Sequence, residues 1–207
     1  VSRGDAGAPG LRMLDAGLIG LAALFLIAPL AAVILSGTPR LAALPAPVWQ
    51  AAGRSVAVAA AATLLTLALA LPMALAVARG GRARFLETVG MLPLATSALV
   101  TGTGLFLLLR PLAGPAGLAL PVTVAVNAAM ALPFALRSLI PAARDLEAGY
   151  GRLAQSLGMR GTARLRLLTL PRLRRPLGFA AGLTAALSMG DLGVIALFAD
   201  ADLATLP

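Results

Sequence analysis

Long apolar runs, two of them without a single charge, limit this chain more than any other feature. Residues 16–36 read AGLIGLAALFLIAPLAAVILS, and residues 55–78 read SVAVAAAATLLTLALALPMALAVA. Three more runs follow at about 86–109 (with Glu87 at its lip), 122–140 and 177–198. Each is long enough to cross a ~30 Å hydrocarbon core as a helix, and far longer than the ~9–11 residues of a membrane strand. Lipid offers the backbone no hydrogen bonds, so such runs must satisfy their own amides as helices. The fold class that follows is all-α, a polytopic transmembrane helix bundle with five spans in this piece. Pro29, Pro72, Pro93 and Pro133 fall inside these spans, where a proline bends a helix at a cost that packed neighbours can offset.

Charge supplies the orientation. All 17 basic residues are arginine, against 8 acidic ones, in a chain that is 59% hydrophobic. With the N-terminus in the cytoplasm, Arg3 and Arg12, then Arg79, Arg82 and Arg84, then nine arginines from Arg137 to Arg175 lie inside. Only Arg40, Arg54 and Arg110 lie outside, the asymmetry expected of an inner-membrane protein. The domain reading is a cytoplasmic segment 1–15 followed by a transmembrane domain 16–207 with a cytoplasmic loop at 141–176. The chain begins on valine and is read as a piece of a longer polypeptide, cut before a final span.

Enzyme chemistry has little material. There is no histidine and no cysteine, which removes the usual nucleophile, base and soft metal ligands. ARGGRARF carries two glycines but no phosphate-cradling Gly-Lys-Ser/Thr sequence. The basic loop has no aromatic between 152 and 177 on which a base could stack, so nucleic acid is not the expected partner. No metal and no cofactor bound by this chain is expected.

The basic loop has its own order. DLEAGYGRLAQSL reads as a short helix with Leu146, Leu153 and Leu157 as its apolar stripe, ended by Gly158 in a left-handed conformation. TARLRLLTL reads as a second short helix, capped by Thr162 and closed by Pro171. From periodicity alone, an amphipathic hairpin lying on anionic lipid, with its arginines outward, fits equally well. GFAAG (Gly178, Gly182) and TGTG (101–104) read as close-packing positions between helices.

On these residues the chain resembles the permease subunits of ATP-binding-cassette importers, whose cytoplasmic loop carries Glu-Ala-Ala, three residues, Gly, nine residues, Ile-x-Leu-Pro. Arg152, Leu153 and Ala154 stand in the first three places, Gly158 in the glycine place, and Leu168, Thr169, Leu170 and Pro171 in the last four. Arg152 departs from the acidic residue, and Leu168 replaces isoleucine. Within the family, the stretch from about Trp49 is most similar to the second half of the permeases for thiamine and thiamine pyrophosphate, above all after Asn127.

The resemblance implies a transport subunit that hydrolyses nothing itself. ATP would bind a separate cytoplasmic ATPase docked on Arg152, Leu153, Ala154, Ser156, Leu157, Gly158, Leu168, Leu170 and Pro171. A periplasmic substrate-binding protein, a second permease half and membrane lipid complete the implied partners. Asn127 and Asp191 are candidates for the translocation path; Asp191 lies fourteen residues past Leu177, roughly 21 Å into the fifth run. Other cargoes (iron(III), polyamine, sulfate or molybdate) share this loop. A membrane scaffold, or a secondary transporter with buried coupling charges, belongs to a different class.

Overall fold

The computed structural model describes residues 9–39, 44–109, 111 and 115–190 of the 207. Contacts divide the chain into two compact units, residues 1–46 and 47–207. The first holds α1 (Pro9–Gly37), one long helix around Pro29. Its large apolar side chains point outward on all sides, Met13, Phe25 and Val33 among them. A helix apolar all round suits a lipid environment rather than a water-facing surface.

The second unit holds α2 (Ala46–Arg79), α3 (Arg84–Met91), α4 (Ala98–Leu109), α5 (Pro115–Ser156), α6 (Gly161–Arg164) and α7 (Leu170–Met189). Short 3₁₀ turns at Gly81–Ala83 and Leu92–Ala95 and a π turn at Leu165–Thr169 join several of them. The described residues contain no strand. On α2 the buried face repeats small residues every four positions, Ala62, Thr66, Ala70 and Ala74. Alanine there lets backbones approach, and Thr66 Oγ1 lies 3.4 Å from the carbonyl of Ala128 on α5. The centre of the unit joins Ala70, Ala74 and Val77 to Leu136, Leu139, Ile140 and Ala143 of α5 and Ala180 of α7.

Among the described residues, three helices are long and apolar enough to cross a membrane, four if α3 and α4 together make one bent span. The expected spans differ from the helices in three ways. The third expected span, 86–109, is not one helix: α3 and α4 meet at 100° across a break. Pro93 sits in the 3₁₀ turn, Thr96 is fully extended, and Ser97 Oγ then accepts the amide of Val100 at 3.2 Å. The serine acts as an N-cap and starts a new helix in a new direction.

The fourth run, expected at 122–140, belongs to the 42-residue α5, which runs through Pro121, Pro133 and Pro141. At ~1.5 Å per residue that helix is about 63 Å long, twice the hydrocarbon core, so its far end stands outside the bilayer. The fifth run is helical as far as Met189, and the remainder lies outside the described residues. Gly178 and Gly182 face open space and do not mediate a close approach. That role falls to Gly90, where a β-carbon would collide with the side chain of Leu136.

Candidate functional site

The basic stretch forms a corner between two long helices. No short free-standing helix precedes Gly158, because DLEAGYGRLAQS is the last part of α5. The helix ends there with Gly158 at φ +65°, its amide on the carbonyl of Gln155 (3.0 Å) and the amide of Met159 on that of Ala154 (2.9 Å). This pair of reversed bonds satisfies the last carbonyls of the helix and requires a left-handed residue at Gly158. A second left-handed glycine, Gly161 at φ +54°, opens α6. Arg160 is the residue flanking α6, without a side-chain cap, so Thr162 is not the N-cap the sequence suggested.

Pro171 does not close a helix either. It occupies the first turn of α7, where a missing amide hydrogen costs little, and the π turn at Leu165–Thr169 passes directly into that helix. Thr169, buried, donates its hydroxyl to the carbonyl of Arg164 at 3.3 Å.

The exposed face of the corner is apolar where the candidate residues cluster. Leu153 is 55% exposed and Leu157 66% exposed, with Leu167 and Leu170 also open. Arg152, Ser156, Gly158 and Pro171 are exposed, and Leu168 is half-buried. Leu146, grouped with Leu153 and Leu157 by spacing, instead turns into the core. Ala154 is buried within the chain and does not present itself to a partner.

Beneath this face lies an ion-pair clamp that sequence reading missed. Glu147 of α5 accepts from Arg164 Nη2 at 2.7 Å and from Arg79 Nε at 3.3 Å, tying the ends of α2 and α5 to α6. The Arg164 and Glu147 side chains are each about 85% shielded, at 15% and 16% exposure. Arg164 is therefore a structural cation rather than one of the outward arginines. Gly151 lies beside the clamp, where a β-carbon would stand 2.9 Å from Glu147 Oε2 at the movable end of that side chain. Nearby, Arg144 pairs with Glu87 of α3 at 2.9 Å, and the Arg172 guanidinium lies 4.3 Å over the Tyr150 ring. The clue to the clamp was a lone glutamate in an arginine-rich segment of a chain with eight acidic residues.

Of the two path candidates, Asn127 lies at 4% exposure, with Nδ2 donating to Ser188 Oγ at 2.7 Å. Asp191 lies outside the described residues. The corner and Asn127 occupy separate parts of α5, twenty-five residues apart by the start of the motif at Arg152. Among the described residues no group of acidic side chains is placed to hold a metal.

The chain is 42% identical to the thiamine transport system permease protein of Salmonella typhimurium over 206 residues, covering 95% of this chain and 38% of that one. It is homologous to thiamine transport permeases. The Escherichia coli permease is 42% identical over 207 residues, and that of Brucella abortus 41% over 202. No family model matches the chain. Against these permeases the chain spans 38% or 37% of the relative's length. The resemblance drawn from the corner motif thus extends across nearly the whole of this chain.

Proposed function

We propose that this chain forms part of the membrane-spanning permease of an ATP-driven importer carrying thiamine or thiamine pyrophosphate across the bacterial inner membrane. The observation that carries the reading is its 41–42% identity to thiamine transport permeases over 95% of its length. The corner geometry supports the coupling role. A glycine-terminated helix end with exposed Leu153 and Leu157 offers an apolar face for a partner groove, and the Glu147 clamp ties that face to α2 and α6.

In this reading a separate cytoplasmic ATPase docks at the corner, and its closure on ATP moves α5 and α7 as stiff levers. A periplasmic binding protein delivers cargo to the opposite side, and a second permease half completes the path. The N-terminus and the arginine-rich corner face the cytoplasm, in keeping with the charge asymmetry. This chain's own residues bind and move cargo, and hydrolysis occurs on the partner.

The test is co-expression of the complete permease with its candidate ATPase and thiamine-binding protein. The expected result is a complex that purifies intact and whose ATP hydrolysis rises when thiamine-loaded binding protein is added. A complex whose ATPase ignores loaded binding protein, with no thiamine uptake in reconstituted vesicles, overturns the proposal.

A further inference from the structure

A groove of about 520 Å³ opens between α2 and the stretch that links α6 to α7. One wall is a stripe of α2 running from Leu67 through Leu71 and Leu75 to Arg79, and Arg164 and Leu165 line the other side. Leu67 and Arg79 are twelve residues apart on one helix, so the stripe is about 18 Å long. One leaflet of a ~30 Å hydrocarbon core is about 15 Å deep. Arg79 is also the last residue of a helix long and apolar enough to span the membrane. The groove therefore has the length of one lipid chain, and its arginine end lies at the level where such a helix meets the headgroups.

The mouth of the groove is cationic and reachable. Arg79 gives its Nε to Glu147, and Arg164 gives Nη2 to the same carboxylate. Two arginines sharing one glutamate carry a net positive charge. Arg79 keeps 58% of its side chain exposed, and a guanidinium has more N–H donors than one carboxylate oxygen can take. A free anion would have no use for the leucine stripe, and an apolar helix would have none for the arginines. An amphiphile with an anionic head uses both, and arginines between helices at the membrane surface suit such headgroups.

We propose that this groove holds one anionic phospholipid from the leaflet on the arginine side. A chain of the lipid lies along Leu67, Leu71 and Leu75, and its phosphate accepts from Arg79 while Arg164 adds positive charge. The lipid bridges α2 to the corner alongside the Glu147 clamp. The inference concerns the membrane and does not depend on which cargo is carried.

The experiment uses the complete permease, purified in detergent and offered equal amounts of phosphatidylglycerol and phosphatidylethanolamine. Native mass spectrometry counts the lipid retained. Wild type should prefer phosphatidylglycerol by roughly fivefold, the value of one positive charge near a membrane surface. Arg79→Leu should bring that preference close to one. Ala68 stands exposed on the α2 wall, so Ala68→Trp should fill the groove and remove one bound lipid per chain without touching an ion pair. Glu147→Gln breaks the clamp but keeps both arginines, and should retain the preference. Loss of the preference in Glu147→Gln would show that Arg79→Leu acts through the clamp, and overturns the proposal. Equal retention of both lipids by wild type also overturns it, and is the outcome expected if a second permease half covers the groove. So does a preference unchanged by Arg79→Leu, or a lipid count unchanged by Ala68→Trp. Displacement of the lipid by glycerol phosphate, which has a head and no chain, would reveal a site for a free anion and overturns it likewise.

Discussion

At the scale of single residues, two glycines do different work at the corner. Gly158 takes φ +65°, which costs a residue with a β-carbon ~1–2 kcal/mol and a β-branched one more. Gly158→Val is expected to leave the permease in the membrane but to loosen the corner, lowering ATPase recovery in pull-downs and thiamine uptake together. Unchanged ATPase recovery would contradict the docking role and favour an amphipathic corner lying on lipid. Gly151 instead lies beside the clamp. A methyl there meets only the movable end of Glu147, so Gly151→Ala should disturb the pair with Arg164 less than Glu147→Gln does. Losing one partner of this shielded pair should cost between the ~1 kcal/mol of an exposed pair and the ~3 kcal/mol of a buried one. The check is the melting temperature of the purified complex. Equal melting of wild type and both variants would show that the clamp contributes nothing to stability. Ala154→Asp, by contrast, would bury a charge among the protein's own side chains, and so reports on folding rather than on docking.

At the scale of elements, the break at residues 92–97 is the feature that most changes the course of the chain. Proline removes one amide, Thr96 extends, and Ser97 restarts the helix, so three nearby residues divert what composition alone presents as one span. The piece before the break, α3, is held by contact with α5 at Gly90, opposite Leu136, which is fully buried. Gly90→Val should force that leucine from its place and destabilise the protein by about 1–3 kcal/mol, the usual range for overpacking. Reduced membrane abundance, partly restored by Leu136→Ala in the double variant, is the expected outcome. A double variant no better than Gly90→Val alone would show that the α3–α5 contact is not what fails.

At the scale of the whole molecule, ion pairs gather the positive charge at one end of the second unit. Arg79, Arg144 and Arg164 come from three helices, yet Glu87 and Glu147 bind them at the level where α5 leaves its apolar portion. Arg54 lies near the other end of α2, twenty-five residues or about 37 Å from Arg79. If that first end is cytoplasmic, a cysteine introduced in place of Thr162 should react with a membrane-impermeant thiol reagent only from the cytoplasmic side, and one in place of Trp49 only from the periplasm. Labelling of position 162 in intact cells from outside would invert the topology.

The sequence by itself determined the helical class, the membrane and the glycine at the corner. Those follow from local physics: apolar length, arginine asymmetry, and a left-handed helix end that favours glycine at Gly158. It also carried the motif that led to the family. Only tertiary structure decided that 86–109 is broken, that the corner runs from the end of α5 through α6 and a π turn into α7, and that Leu146 and Ala154 turn inward. Spacing along one helix cannot show which side of it a neighbour covers. The Glu147 clamp and the Asn127–Ser188 hydrogen bond depend on residues 17 to 68 positions apart in the chain. Their partners are chosen by packing, which brings side chains together across helices and leaves no periodic trace in the sequence.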